Sequence, residues 1–245
     1  MKKVNIVYDF DGTLTQFAVP RYLILEKCGY KNGTLNEKFL ARLNEIKNEL
    51  QCEPVEAFYE AFFRILSENN LKITEKDFLY GVEKIQYNKG LENYFSNITN
   101  WANENDIQIN HYIVTSGFKV FVENSKYSKY FKEVFGCTFK TCDGIITGMD
   151  YLLSTKEKIN KLKTLQEDLS TKPDKTIYIG DGFTDYYAMK YIHNNGGKTI
   201  FVHQNENDLD TYHEINKENI VDYCEIADYS ENTKLYNIIK KAIMF

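Results

Sequence analysis

Six side chains in this sequence are of types, and at spacings, that could carry out chemistry together. Asp9 and Asp11 close the apolar run of "NIVYDFDGT", Thr115 stands in "HYIVTSGF", and Asp181 and Asp185 stand in "YIGDGFTD". Lys156 opens "KEKINKL". Two carboxylates ~4 Å apart repel by ~4 kcal/mol at an effective dielectric of about 20. Four converging carboxylates therefore need protons or a cation. Oxygen donors without His or Cys select Mg2+, a hard octahedral ion that also takes phosphate oxygens. On an extended segment, residues i and i+2 share a face, so Asp9 and Asp11 can address one group. Read alone, Asp11-Gly12 is also an ordinary turn, because Gly accepts φ > 0. The companion segments decide between the two readings.

Those segments must be positioned by something, and four apolar runs supply it. "VNIVYDF", "INHYIVTSGF", "KTIYIGDGFTD" and "KTIFVHQ" are nearly continuous and rich in β-branched and aromatic residues. Such runs suit strands buried on both faces. Helical patterns after the middle two make βα units and a parallel sheet, whose ligands bind beyond the carboxyl ends of the strands. The Asp, Thr and Gly residues stand at three of those ends. Before the third strand, Ser154 and Glu157 have capping-box spacing, with Lys156 in the first turn of the helix they open. A cation there opposes the helix dipole, a local fault of the kind functional sites tolerate. "ENTKLYNIIKKAI" reads as a closing helix capped by Ser230.

Between the first two strands lies a block with helical periodicity only. Leu35, Phe39, Leu43, Ile46 and Leu50 recur at helical spacing, as do Val55, Phe58, Tyr59, Phe62 and Leu66 behind Pro54. Thr74 and Asp77 have the spacing of a further N-terminal cap. The expected division is a core of residues 1–15 and 87–245 and a helical insertion of 16–86.

The 245 residues carry a net charge of −5, which argues against a broad nucleic-acid face and leaves a small anionic ligand open. No apolar run approaches the ~20 residues of a membrane span, and Asp9 interrupts the N-terminal run too early for a signal peptide. Cys28, Cys52, Cys137, Cys142 and Cys224 form an odd set without CxxC pairing, as expected of thiols in a cytoplasmic protein. Cys137 and Cys142 lack the second ligand pair that a zinc site requires. His111, His193, His203 and His213 are scattered and are read as structural.

The ordered set DFDGT, VTSGF, Lys156 and GDGFTD resembles the four motifs of the haloacid dehalogenase superfamily. The likeness is to its phosphoserine-phosphatase-like branch, whose second motif "TSGF" follows with Ser in place of one Gly. That branch also has a segment like "CDGIITG" ahead of the lysine. The likeness covers residues 1–15 and 88–230, and the insertion matches in position and helicity. The resemblance implies an α/β fold, a Rossmann-like parallel sheet flanked by helices with an inserted all-helical cap. It implies a Mg2+-dependent phosphatase of small phosphorylated metabolites, with Asp9 as nucleophile and Asp11 as general acid and base. Gly12, Thr115, Ser116, Gly117 and Lys156 would hold the phosphoryl group. Asp9, the Asp11 carbonyl and Asp181 would ligate Mg2+, with Asp185 ligating or acting through water.

The only arginines, Arg21, Arg42 and Arg64, fall in the insertion, and Arg21 is the candidate substrate contact, being nearest in sequence to Asp9. "QFAVPRYL" lacks the acidic residue with which phosphoserine phosphatases bind the substrate amine, so a different phosphomonoester is expected. A phosphomutase on the same fold, or a regulatory protein without turnover, is the alternative. A dehalogenase fits less well because those relatives lack the second aspartate, and a receiver domain needs no helical insertion.

Overall fold

Residues 4–8 are buried on both faces, and this segment lies at the centre of the sheet. The computed structural model describes residues 1–18, 34–168 and 172–245. Along the chain come β1 (Lys2–Tyr8), α1 (Thr34–Leu50), α2 (Pro54–Glu68), α3 (Glu75–Glu83), α4 (Leu91–Glu104), β2 (Ile107–Phe118) and α5 (Lys119–Glu123). Then follow β3 (Phe131–Cys142), β4 (Ile145–Tyr151), α6 (Glu157–Asp168), β5 (Thr176–Gly180) and α7 (Tyr186–Asn194). The chain closes with β6 (Lys198–His203), α8 (Leu209–Ile215), β7 (Tyr223–Ile226) and α9 (Lys234–Met244). The seven strands run in the order β4-β3-β2-β1-β5-β6-β7, all parallel except the β3–β4 pair.

The four apolar runs become β1, β2, β5 and β6, as expected of strands covered by helices on both faces. Three further strands, β3, β4 and β7, extend the two edges. The β3–β4 hairpin turns on Asp143 and Gly144, which take φ of 51° and 74°, the left-handed backbone that an Asp-Gly hairpin turn demands. One cap differs from expectation. The last helix starts at Lys234, where the Thr233 hydroxyl accepts from the Tyr236 amide at 3.2 Å, and Ser230 lies in the turn before it.

The insertion leaves and returns along one short antiparallel contact. Thr15 bridges Tyr87, the Gln16 amide donates to the Gln86 carbonyl at 2.8 Å, and the Asn88 side chain donates to the Thr13 carbonyl at 2.8 Å. Its helices α2 and α3 start as the sequence pattern requires: Pro54 occupies the first turn of α2, and the Thr74 amide donates to the Asp77 carboxylate at 2.7 Å. These helices are seated on the end of β2 by one aromatic cluster. The Phe118 ring lies 5.0 Å from Tyr59, 5.9 Å from Phe62 and 5.2 Å from Phe78, between centroids. The segment carrying Thr115, Ser116 and Gly117 is thus packed directly against the insertion. Among the described residues, no helix is long and apolar enough to cross a membrane.

Candidate active site

Strand register brings the motif ends together. Tyr8, the last residue of β1, pairs with Ile113 of β2 on one side and Ile179 of β5 on the other. The chain continues in step, with the Asp9 amide donating to the Ile179 carbonyl at 2.9 Å. Asp9 therefore emerges between Thr115, two residues beyond Ile113, and Asp181, two residues beyond Ile179. Gly12 then turns the chain with φ of 83°, and a Cβ there would fall 2.1 Å from the Asp181 carboxylate. A Cβ at Gly117 would fall 2.2 Å from the Asp11 carboxylate. Gly12 is also required by its left-handed φ, and at either position an added Cβ would force the facing carboxylate to shift.

Oxygen atoms of Asp9, Asp181 and Asp185 lie within 4.8 Å of one another. Asp9 is buried, its Oδ1 3.2 Å from Lys158 Nζ yet accepting no hydrogen bond. The Thr115 hydroxyl accepts from the Gly117 amide at 2.9 Å, and its proximity lowers the Asp9 pKa against the effect of burial. Asp181 accepts from the Thr13 hydroxyl at 2.7 Å. Asp185 is fully buried, and both of its oxygens accept hydrogen bonds. Lys158 Nζ at 2.7 Å and the Tyr178 hydroxyl at 2.6 Å reach one oxygen, and the amides of Asp181 and Gly182, each at 3.1 Å, reach the other. Asp185 thereby positions Lys158, and it stays in the trio with Asp9 and Asp181 whose oxygens lie close enough together to hold a metal ion.

Burial pushes the Asp9 carboxyl up to about 6, with the Asp185 charge adding to that and Lys158 pulling against it. Asp181 is raised well above the carboxylate range by burial first, then by Asp9 and Asp185. Burial alone would lower the Lys158 pKa, but the carboxylates of Asp185 and Asp9 outweigh it and hold the ammonium charged. One ammonium does not satisfy three clustered acids. The remaining excess of negative charge and the all-oxygen donor set of Asp9, Asp181 and Asp185 fit a bound metal ion.

The lysine is where the structure corrects the sequence reading. Lys156 sits on the surface, its side chain 68% exposed and its Nζ 3.5 Å from Glu53, away from the acids. Lys158, two residues on, is completely buried between Asp9 and Asp185. The missed signal is periodicity. Lys158 shares its helical stripe with Leu162 and Leu165, both buried, whereas Lys156 lies in the exposed turn just before the helix.

The other expected residues divide. Asp11, Thr115, Ser116 and Gly117 line one cavity of about 290 Å3 together with Asp9 and Asp181. The Asp11 carboxylate stands over Gly117, outside the trio of Asp9, Asp181 and Asp185. Ser116 Oγ is buried without a hydrogen-bond partner, and the Ser116 carbonyl accepts from the Tyr59 hydroxyl of α2 at 2.6 Å. Arg42 is committed to Glu45 and Glu68, and Arg64 to Glu49 and Glu60. Arg21 lies outside the described residues. Cys137 is buried, with Sγ 3.2 Å from the Ser116 carbonyl and the Leu153 amide, and burial raises its thiol pKa. Cys142 is an exposed free thiol, so Cys137 and Cys142 do not share a site. His111 is buried between the Tyr8 hydroxyl at 3.0 Å and the Thr99 hydroxyl at 3.2 Å, and burial lowers its pKa to about 3.

Comparison with known proteins places this arrangement. Residues 6–190 match the family model of haloacid dehalogenase-like hydrolases. The chain belongs to that family. An uncharacterized protein of Borreliella burgdorferi is 26% identical, over 98% of this chain and 96% of its own. Among solved structures, a phosphoserine phosphatase in a phospho-aspartyl intermediate analogue state superposes with a TM-score of 0.66 at 18% identity. The match covers 98% of this chain and 99% of that one. An L-2-haloacid dehalogenase, RSc1362, superposes over the full length of both chains with a TM-score of 0.54 at 10% identity. At such identities the structural likeness is one of fold. The helices between β1 and β2 occupy the place of the cap in this hydrolase fold.

Proposed function

We propose that this protein is a Mg2+-dependent phosphomonoester hydrolase acting on small phosphorylated metabolites through phosphorylation of Asp9. The observation that carries the reading is the pairing of an unbonded, buried Asp9 oxygen with a buried ammonium, beside a second acid in the same 290 Å3 cavity.

The roles follow from position. Asp9 attacks phosphorus while the ester oxygen leaves, giving an aspartyl-phosphate. Asp11, over Gly117 at the cavity wall, gives its proton to the leaving oxygen and later takes one from the incoming water. Thr115 and the orphaned Ser116 hydroxyl, with the Gly117 amide nearby, hold phosphoryl oxygens. Lys158 spreads its charge between Asp9 and those oxygens, and Asp185 fixes where it stands. A divalent ion held by Asp9, Asp181 and the Asp11 carbonyl would neutralise phosphoryl charge and offset the repulsion among the acids. Release of inorganic phosphate to water, rather than transfer to a second alcohol, separates this reading from a phosphomutase. The test is turnover of p-nitrophenyl phosphate with Mg2+, abolished by EDTA and restored by excess Mg2+. A folded protein inert toward a broad panel of phosphomonoesters with Mg2+ overturns the reading.

The acid cluster also makes cation binding depend on pH. The Asp9 pKa of about 6 lies above the ordinary carboxylate value of ~3.9. The cation-free fold therefore takes up a proton, and Asp9 favours folding below the ordinary value and loses that contribution as pH rises through about 6. A bound dication reverses the penalty only where Asp9 is ionised. Thermal unfolding with and without Mg2+ is expected to show a larger rise in Tm at about pH 7.5 than at about pH 5.5.

A further inference from the structure

The far wall of the catalytic cavity has a chemistry of its own. At the phosphoryl end stand Asp9, Asp11, Asp181, Thr115 and Ser116, while the wall facing them is made by Ala18, Leu43, Pro54, Val55, Phe58 and Tyr59. Leu43 comes from α1 and the last four from α2. Tyr59 spends its hydroxyl on the Ser116 carbonyl, so it offers the cavity its ring. Phe58 is held edge-on between Phe39 and Tyr59, at 5.1 and 5.4 Å between centroids. Among the described residues, every charged side chain lining this cavity is an aspartate at the phosphoryl end. The insertion's arginines Arg42 and Arg64 are bound to glutamates and do not line it, and Lys156 is paired with Glu53 outside it.

We infer that the preferred substrate is a phosphomonoester of an uncharged alcohol with an apolar, single-ring body, selected by the Leu43–Val55–Phe58 wall. This assignment rests on the phosphatase reading above. Among the described residues this wall offers no counter-charge to an amino or carboxylate group on the leaving alcohol, which would be stripped of water against it, whereas an aromatic ring meets Phe58 and Tyr59 face or edge. The cavity volume of 290 Å3 sits at the lower end of the roughly 300–1,000 Å3 of small-ligand sites, which suits one ring and a phosphoryl group. A second cavity of about 390 Å3 lies on the other side of Asp11 and Asp181 and is lined by Gln16, His203, Gln204 and Asp208. It does not reach Asp9.

The experiment compares kcat/KM for 2-phenylethyl phosphate with that for O-phosphoserine and phosphoethanolamine. All three release primary alcohols, so recognition dominates the ratio. The phenylethyl ester is expected to lead by at least about tenfold, the scale on which an apolar pocket discriminates. The lead should fall below about threefold in both Phe58→Ala and Leu43→Ser, two positions on different helices. Equal rates, or a lead for the charged esters, overturn the assignment and direct the leaving group to the second cavity. Binding of 3-phenylpropylphosphonate against 2-amino-4-phosphonobutyrate, by calorimetry with Mg2+, reads the wall without turnover. Preference for the phenyl compound in a protein that hydrolyses none of the esters upholds the wall and overturns the phosphatase reading. Equal binding overturns the wall alone.

Discussion

Asp9→Asn is expected to lower phosphate release by at least about a thousandfold, or about 4 kcal/mol in activation free energy, while the protein stays folded. The amide keeps the volume, but it is no nucleophile and carries no charge toward a cation. Its effect on stability separates loss of chemistry from loss of fold. Asp9 is buried with its carboxyl raised to about 6, so at neutral pH its ionised form opposes folding in the cation-free protein. Removing that charge should leave the cation-free variant at least as stable as the parent, and Mg2+ should raise its Tm less. Urea unfolding and a phosphate-release assay on the same preparation check both halves. A variant that keeps a tenth of parental activity removes Asp9 from the reaction.

Lys158→Met is expected to damage stability and turnover together. Lys158 is fully buried, 2.7 Å from Asp185 and 3.2 Å from Asp9. Deleting one partner of a buried ionic group leaves uncompensated charge and costs about 3–5 kcal/mol. Turnover should fall at least about a hundredfold from the loss of charge at the phosphoryl oxygens. Part of the stability loss should return as pH falls, because the orphaned acids can then take protons. Lys156→Ala, two residues away and exposed, should stay within about 0.5 kcal/mol of the parent in stability and keep its activity. Equilibrium unfolding with kcat for each variant is the check, and equal effects at the two positions would contradict the arrangement.

The contrast between these two lysines shows how much of the molecule was legible in the residues. Strands β1, β2, β5 and β6 were readable because helices cover both their faces, leaving near-continuous apolar runs whose ends then located Asp9, Thr115 and Asp181. Strands β4 and β7 carry no such run. Each is partly exposed along its length, so apolar continuity is lost at the sheet edges. Lys156 and Lys158 are of one type two residues apart at the start of α6, and only the inward stripe through Leu162 and Leu165 tells them apart. Asp185 was readable as part of a motif, but its partner was not. That it spends its oxygens on Lys158, Tyr178 and two amides depends on contacts across the fold. Thr233 captured the last helix from Ser230 for a similar reason: the intervening turn bonds Thr233 to the Ser230 carbonyl at 2.8 Å, so the helix starts three residues later.

The aspartyl-phosphate is the step on which every assigned role converges, and it can be trapped. Protein quenched in acid during steady-state hydrolysis, then reduced with borohydride and digested, should contain homoserine at position 9 and aspartate at positions 11, 181 and 185. Phosphate release with residue 9 unmodified, or with homoserine at one of the other acids, would contradict the account.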